Sequence, residues 1–273
     1  MVTAEAIVQA AGLQETFTLE RSSVGRGVWF YGPYVLRAHK SGGLDDEVRL
    51  LRYLPASIPH APVIASGAGW IVQRRIEGER LSEIWTTLSE DRQRATAQQL
   101  AAILNNLHGV RLSGTPSLSP GWFPAILPAD IIRMANELRD HDPALMDAVV
   151  AATRRMMGEV TPPLRWGFVH RDLHLDHVLW NGDRITALLD FESALNAPRE
   201  LELGAMIRFC HAHAPDFEHL GAWLQEDYPL LFNEPGAEKR VHLYSIEHDL
   251  RCLLDDSADI PFALERLRAA VEG

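Results

Sequence analysis

The hydrophobic pattern of the first 78 residues predicts a short helix before Gly12, several strands and a second helix. Stretches rich in aromatic and β-branched residues, broken by glycine and proline, predict antiparallel strands at 15–22, 27–32 and 34–40 and a strand pair within 61–78. The second helix covers 44–54, where leucine and valine recur on one face. This order of elements indicates a small α+β unit built around an antiparallel sheet.

Beyond Gly78 the hydrophobic period becomes that of amphipathic helices. The pattern predicts helices over 89–110, 128–141 and 143–160, and a mostly helical stretch from 199 to 272. Several prolines at 113–128 predict a surface loop, and the stretch from 170 to 190 has the pattern of one short hairpin. The sequence therefore predicts an α+β fold with two lobes, a small antiparallel-sheet lobe at 1–78 and a mainly helical lobe at 79–273.

The composition indicates a globular protein with a substantial core, because 47% of the 273 residues are hydrophobic. The N-terminus lacks the pattern of a secretory signal, and no run of eighteen apolar residues occurs, so neither export nor membrane insertion is expected. Cys210 and Cys252 are too few and too isolated for a disulfide framework or a thiolate zinc site. We expect two reduced thiols and a cytoplasmic location.

The net charge of −11 argues against a nucleic-acid partner, which requires a basic face. Residues 1–78 contain eight basic and seven acidic side chains, whereas 79–273 contain eighteen basic and thirty acidic ones. The excess of negative charge therefore belongs to the predicted helical lobe. A site for a cationic small-molecule substrate would produce this asymmetry, and an acidic solvated surface would produce it too.

The stretch "HRDLHLDHVLWNGDRITALLDFE", residues 170–192, carries the clearest chemical pattern. Asn-Gly between two apolar runs predicts a hairpin, which brings Asp172, His177 and Asp190 to one end of the strand pair. Phosphoryl transfer needs an aspartate that orients or deprotonates the acceptor, and ligands for a Mg²⁺ ion that neutralises phosphate oxygens. An alternative is a metal-dependent hydrolase, because "DLHLDH" resembles the H-x-H-x-D-H pattern of metallo-β-lactamase-like enzymes.

The same stretch resembles the protein-kinase-like superfamily, in particular its aminoglycoside and macrolide phosphotransferase and choline kinase branch. "HRDL" resembles the start of the catalytic loop, and "LDFE", with Asp190 eighteen residues after Asp172, occupies the place of the metal-binding D-F-G. The resemblance implies that Asp172 is the catalytic residue and that His177 and Asp190 bind Mg²⁺. The antibiotic kinases usually have Asn where this sequence has His177, although H-x-x-H is associated with the macrolide branch.

The resemblance also implies a set of nucleotide-binding residues in the N-terminal lobe. A glycine turn would cover the phosphates, Arg37 would bind them in place of the usual lysine, Glu47 would hold Arg37, and a hinge segment would face the adenine. If the strand has another register, Lys40 would bind the phosphates instead of Arg37. The implied nucleotide-binding residues are Gly25, Gly27, Arg37, Glu47, Gln73, Arg74, Arg75 and Ile76.

The function implied by the resemblance is transfer of the γ-phosphate of ATP or GTP to a hydroxyl group of a small molecule, with Mg²⁺, and the expected acceptor is an aminoglycoside or a macrolide. Choline, homoserine and sugars are alternative acceptors, and a non-catalytic nucleotide-binding protein is a further alternative. Glu202 is expected to anchor the catalytic loop. His108 and His170 are expected to be structural rather than catalytic.

Overall fold

The structure is a computed structural model that describes residues 2–14, 16–22, 27–38, 43–118, 126–213, 217, 219–254 and 260–272. Its strands are β1 (Leu19–Arg21), β2 (Val28–Tyr31), β3 (Tyr34–Ala38), β4 (Val63–Gly67), β5 (Trp70–Arg74), β6 (Glu79–Arg80), β7 (Trp166–Val169), β8 (Val178–Asn181), β9 (Arg184–Leu188) and β10 (Leu195–Pro198). Its helices are α1 (Ala4–Ala10), α2 (Gly43–Leu51), α3 (Leu81–Ile84), α4 (Glu90–Gly109), α5 (Ile126–Glu137), α6 (Pro143–Met157), α7 (Leu201–His213), α8 (Leu220–Asp227), α9 (Pro229–Phe232), α10 (Ala237–Leu254) and α11 (Ile260–Glu272).

The N-terminal sheet has five antiparallel strands in the order β1-β2-β3-β5-β4. The predicted strands and both helices of this part are present, although β1 is shorter than predicted and begins at Leu19. A small hydrophobic cluster joins α1 to the sheet through Ile7, Tyr31, Leu36 and Val72, all of which are at most 2% exposed. Burying each of these side chains contributes roughly 1.5–3 kcal/mol, which fixes α1 on the sheet.

The helix α2 and the strand β5 belong to the main hydrophobic core rather than to this small cluster. Leu44, Leu51 and Ile71 are buried together with the apolar faces of the C-terminal helices. The core therefore runs from the N-terminal sheet into the helical part without a break. The division of the chain after Gly78 stays a prediction.

The C-terminal part is mainly helical, as predicted, but it contains more strands than the single predicted hairpin. The hairpin of β8 and β9 is extended by β6 into a three-stranded sheet, and β7 pairs with β10 in a separate two-stranded sheet. The segments 166–169 and 195–198 are short and mostly buried, so they lack the alternating pattern that predicts a half-exposed strand. Their pairing depends on tertiary contact rather than on local sequence.

The predicted loop at 113–128 ends earlier than expected, because α5 already begins at Ile126. Pro128 lies in the first turn of this helix, where the missing backbone N–H breaks no helical hydrogen bond. Proline in the first turn is therefore compatible with a helix. In the described part of the chain, no helix has both the length and the apolar character needed to cross a membrane.

Candidate active site

Two neighbouring segments, the loop after β7 and the turn after β9, carry the side chains that the sequence pattern singles out. The loop closes in a 3-10 turn, Leu175–His177, directly before β8. A tight turn with Gly182 at φ 70° then leads into β9. The backbone N–H of Leu189 donates to the carbonyl of His177 at 2.9 Å, so the end of β9 lies beside the loop. The hairpin thus brings Asp190 next to His177, as the sequence predicts.

The imidazole of His177 lies between the two aspartates. Its Nδ1 is 2.8 Å from the backbone carbonyl oxygen of Asp172 and 3.8 Å from the carboxylate Oδ2 of the same residue. Its Nε2 is 3.9 Å from Oδ2 of Asp190. Because a carbonyl oxygen only accepts hydrogen bonds, Nδ1 carries the hydrogen, and in the neutral ring the lone pair of Nε2 faces Asp190. The three predicted residues therefore form one contiguous group.

The guanidinium of Arg37, on β3, reaches the same point from the N-terminal sheet. Nη1 donates to Oε1 of Glu47 at 2.7 Å, and Nη2 is 3.0 Å from Oδ1 of Asp190 and 3.5 Å from Oε2 of Glu192. Glu47 lies on α2, which also contacts the 3-10 turn Phe191–Ser193. One guanidinium therefore connects β3, α2 and the segment after β9.

The ion pair of Arg37 and Glu47 forms in a nearly dry environment, since the side chain of Glu47 is 1% exposed. Burial opposes the charge of Arg37, but Glu47 and then Asp190 outweigh it and raise the pKa of Arg37. Burial also raises the pKa of Glu47, and the neighbouring Arg37 offsets only part of that increase. Such a pair positions the guanidinium, although its desolvation limits what it adds to stability.

The carboxylate of Glu202, at the start of α7, binds the backbone of the loop after β7. It accepts the backbone N–H of His170 at 2.8 Å and that of Arg171 at 3.1 Å, and it lies 3.4 Å from Nε2 of His108. Burial opposes ionisation of Glu202, but the hydrogen bond and charge of His108 outweigh it, so the pKa of Glu202 is lowered. The ring of His170 contacts the backbone carbonyl of Leu189 at 2.7 Å. These contacts agree with the structural roles predicted for Glu202, His108 and His170.

Two residues of the site have a left-handed backbone without being glycine. Arg171 has φ 71° and Asp190 has φ 63°. Aspartate tolerates this region, whereas an arginine there costs of the order of 1–3 kcal/mol. The carboxylate of Glu202, which fixes the amide of Arg171, supplies the compensating contact.

A cleft of about 780 Å³ extends from this group to the strand β5. Its walls include Arg37, Glu47, His177 and Asp190, and also the predicted hinge residues Gln73, Arg74, Arg75 and Ile76. The cleft therefore unites the predicted metal-binding residues with those predicted to bind the nucleotide. Its volume is within the usual range for a small-molecule site.

The backbone N–H groups of the hinge are not equally accessible. The N–H of Arg74 donates to the carbonyl of Pro62 at 2.9 Å, and the N–H of Arg75 donates to that of Pro33 at 2.8 Å. The amide side chain of Gln73 is buried and donates to the carbonyl of Ala61 at 3.2 Å. Of the backbone N–H groups of residues 74 to 76, that of Ile76 is therefore the candidate donor to a ligand.

Gly27 has a structural reason to be glycine. Its φ is 82°, and a Cβ there would collide with the backbone carbonyl of Ala38 on β3. The backbone carbonyl of Gly27 also accepts the N–H of Ala38 at 2.8 Å. Close approach of two strands therefore explains this glycine without a nucleotide. Gly25 and the alternative phosphate ligand Lys40 lie outside the described residues.

Glu192 was not singled out by the sequence pattern, and His174 and Asp176 were singled out only as part of "DLHLDH" in the metal-hydrolase alternative. Glu192, the last residue of "LDFE", is within 3.5 Å of Arg37 and lines the cleft with Asp190. His174 and Asp176 line it from the loop, and Oδ2 of Asp176 is 3.6 Å from Nδ1 of His174. Burial, followed by the neighbouring His177, lowers the pKa of His174 to about 4. The second carboxylate of "LDFE" was the available signal for Glu192.

Among the described residues, two groups present ligand atoms within 4.8 Å of one another, Glu47 with Asp190 and Glu192, and Asp172 with His174 and His177. The predicted metal ligands Asp190 and His177 thus fall into different groups. Carboxylate oxygens suit Mg²⁺, whereas imidazole suits softer cations. The donor set around Asp190 and Glu192 therefore fits Mg²⁺ better than His177 does.

Comparisons with solved structures place the fold. The gentamicin complex of APH(2'')-IIa covers 99% of this chain and 96% of its own, with a TM-score of 0.74 and 16% identity. The GDP complex of aminoglycoside 2'-phosphotransferase-IIIa covers 98% and 97%, with a TM-score of 0.75 and 18% identity. Aminoglycoside phosphotransferase APH(4)-Ia with ADP and hygromycin B covers 98% and 97%, with a TM-score of 0.70 and 19% identity. The predicted kinase-like α+β fold is confirmed.

The sequence comparison agrees with this fold. The profile of the phosphotransferase enzyme family matches residues 19–229, a span that includes the cleft, the loop after β7 and the turn after β9. A search of curated proteins returned no significant match. The family match covers well over half of the chain, and it confirms the predicted enzyme class, a phosphotransferase that acts on a hydroxyl group. The chain belongs to the phosphotransferase enzyme family.

Proposed function

We propose that this protein transfers the γ-phosphate of ATP or GTP to a hydroxyl group of an aminoglycoside. One observation carries the proposal. Asp172 and Asp190 flank His177 within 4 Å, and His177 and Asp190 line a cleft that also contains the Arg37–Glu47 pair. Such a grouping supplies an acceptor-binding carboxylate, metal ligands and a phosphate-binding cation in one place.

The nucleotide base would bind at the hinge between β5 and β6. The N–H groups of Arg74 and Arg75 already donate to backbone carbonyls, so Ile76 is the proposed donor to the base. The guanidinium groups of Arg74 and Arg75 lie over the rings of Tyr34 and Phe30, at 5.4 and 4.6 Å from the ring centres. These cation–π contacts direct both side chains onto the sheet.

Arg37 would bind the phosphates while Glu47 keeps its guanidinium in place. Nη2 of Arg37 contacts Asp190 and Glu192, whereas Nη1 donates to Glu47. Binding of a phosphate would exchange the contacts of Nη2 and leave that of Nη1 unchanged. The bond to Glu47 therefore fixes the position from which Arg37 neutralises phosphate charge.

Asp190 is the proposed principal Mg²⁺ ligand, with Glu192 beside it and His177 as the third predicted neighbour. A divalent cation held there would neutralise the charge that develops on the phosphate oxygens. The left-handed backbone of Asp190 turns the chain immediately after β9, which brings its carboxylate to the cleft.

Asp172 is the proposed catalytic residue, which accepts the hydrogen bond and then the proton of the acceptor hydroxyl. The backbone carbonyl of Asp172 accepts a hydrogen bond from His177, and the preceding amides are bound by Glu202. The loop is therefore held on both sides before a substrate arrives. This preorganisation lowers the cost of orienting the carboxylate.

Two facts support an aminoglycoside as the acceptor. The structural relatives include complexes with gentamicin, streptomycin and hygromycin B. The helical part, residues 79–273, has twelve more acidic than basic side chains, which favours a cationic acceptor. A macrolide is the second candidate, because His177 matches the H-x-x-H variant of the loop. We also propose a cytoplasmic location, which accords with the few and isolated cysteines.

The decisive experiment compares the wild type with Asp172→Asn. We expect calorimetry to detect Mg²⁺-dependent binding of ATP or GTP to both proteins, because the change leaves the hinge and Arg37 intact. We expect transfer of labelled γ-phosphate to an aminoglycoside panel to fall by about 10²–10⁴-fold in the variant, since the proton acceptor is lost. Asp183→Asn, in the exposed turn between β8 and β9, is the matched control and should retain activity.

Two results would contradict the proposal. Full transfer activity in Asp172→Asn would remove the assigned catalytic residue. Nucleotide binding without transfer to aminoglycosides, macrolides, choline, homoserine or sugars would favour a non-catalytic nucleotide-binding protein instead.

A further inference from the structure

The loop after β7 contains a second group of metal-binding side chains, distinct in chemistry from the carboxylates around Asp190. Asp172, His174 and His177 each offer a ligand atom, and these atoms lie within 4.8 Å of one another. The 3-10 turn Leu175–His177 is responsible, because it folds the chain back so that both histidines lie near the same aspartate. Their ring centres are 4.0 Å apart.

The composition of this group selects against Mg²⁺. Two imidazoles and one carboxylate are the ligand set of Zn²⁺ and of related transition-metal cations, whereas Mg²⁺ prefers oxygen ligands. Tetrahedral zinc ligands lie roughly 3.3 Å apart, given metal–ligand distances of about 2.0–2.1 Å. The group must therefore contract by at most about 1.5 Å around such an ion, a movement within the reach of side-chain rotation.

The surroundings of the two histidines resemble the outer contacts of metal-bound imidazoles. Nδ1 of His177 donates to the backbone carbonyl of Asp172 at 2.8 Å. Nδ1 of His174 is 3.6 Å from Asp176, and the hydroxyl of Ser82, on α3, donates to the same carboxylate. A carboxylate or carbonyl on the far side of the ring fixes the orientation of a histidine ligand. The three candidate ligands are also reachable, with side chains 43%, 22% and 19% exposed.

We propose that Asp172, His174 and His177 bind a transition-metal cation of the Zn²⁺ type, and that the bound cation inhibits phosphoryl transfer by occupying the carboxylate of Asp172. The inhibitory part rests on the proposed function, in which Asp172 accepts the proton of the acceptor hydroxyl. The binding part rests only on the three side chains. A protein that uses Mg²⁺ for transfer would thus be switched off by a different cation at an adjacent position.

The binding part is tested on the full chain without nucleotide. Titration with ZnCl₂ by calorimetry, and with Co²⁺ as a spectroscopic probe, should reveal one ion per wild-type chain. We expect His174→Gln and His177→Asn each to weaken binding by more than roughly 100-fold, since each removes a ligand and the loss of an outer contact alone costs about 10–100-fold. His141→Gln, at an exposed histidine after α5, is the matched control and should bind as the wild type does.

Equal Zn²⁺ affinity in the wild type and in both loop variants would overturn the site, as would the absence of Zn²⁺ binding to the wild type. Two loop variants are used so that the test still stands if one of them misfolds. Far-ultraviolet circular dichroism verifies that each variant is folded.

The inhibitory part is tested at saturating Mg²⁺ and nucleotide. Zn²⁺ should abolish transfer by the wild type, and a zinc-selective chelator should restore it. His174→Gln, compared with its own rate in the absence of Zn²⁺, should need a correspondingly higher Zn²⁺ concentration for the same fractional inhibition. Transfer that continues with Zn²⁺ bound would refute the inhibition. Zn²⁺ binding in a protein that transfers no phosphate would refute the proposed function and leave the metal site standing.

Discussion

The carboxylate of Glu202 offers the sharpest test of how the loop is held. Glu202→Gln keeps the shape of the side chain but replaces one accepting oxygen by an NH₂ group that faces a backbone donor. The two bonds to the amides of His170 and Arg171 are 2.8 and 3.1 Å long, and both end on a fully buried, charged acceptor. Hydrogen bonds of this type contribute about 1.5–3 kcal/mol each.

Losing one of the two bonds, and leaving one amide unsatisfied, should lower the free energy of unfolding by about 3 kcal/mol. A protein of this size should then lose roughly 6–12 °C in Tm. Urea unfolding followed by tryptophan fluorescence measures the difference. The matched control is Glu265→Gln, at an exposed position of α11, which should change stability by less than about 0.5 kcal/mol. A loss of stability no larger than that of the control would refute the reasoning.

The same variant carries a pH signature. The pKa of Glu202 is lower in the folded protein than in the unfolded chain, so its ionised form stabilises the fold at neutral pH. This contribution disappears as the pH falls through the unfolded and then the folded pKa. The stability difference between wild type and Glu202→Gln should therefore shrink on acidification. A difference that stays constant from neutral to acidic pH would contradict the assignment.

Two further predictions concern the backbone. Arg171→Gly should stabilise the protein by about 1 kcal/mol in urea unfolding, because relief of the left-handed strain exceeds the entropy cost of glycine. The ion pair that the variant loses, with Glu247, is long at 4.0 Å and contributes little. A loss of stability would show that the arginine side chain holds the loop. Gly27→Ala should destabilise by at least about 1–2 kcal/mol, because a Cβ would collide with Ala38 at a positive φ. Gly221→Ala, where nothing lies within 4 Å of a Cβ, is its control and should not destabilise.

Local patterns in the sequence were sufficient for most of the N-terminal sheet and for the hairpin of β8 and β9. The reason is that these elements are neighbours in sequence, and their strands alternate or end at strong turn residues such as Gly182. The meeting of Asp172, His177 and Asp190 followed from the hairpin alone. The contact of Arg37 with Glu47 required the family resemblance, because the two residues are ten positions apart and belong to different elements, β3 and α2.

Other features depend on contacts that no local pattern encodes. The pairing of β7 with β10 joins segments about thirty residues apart, both short and mostly buried. The bonds of Arg74 and Arg75 to Pro62 and Pro33 arise from strand packing. The approach of β3 by itself requires glycine at position 27. Sequence reasoning therefore identified the residue types of the site better than the constraints that act on them.

The shared contacts of Arg37 have a thermodynamic consequence. Three carboxylates, those of Glu47, Asp190 and Glu192, lie within 3.5 Å of this one guanidinium. A nucleoside triphosphate that enters the same cleft would bring further negative charge close to these carboxylates. A divalent cation would offset the repulsion between the phosphates and the carboxylates, so each ligand would favour the binding of the other. By linkage, the factor by which the cation tightens nucleotide binding must equal the factor by which the nucleotide tightens cation binding. In the proposed function the two ligands therefore occupy the cleft together, and the affinity for either has meaning only at a stated concentration of the other.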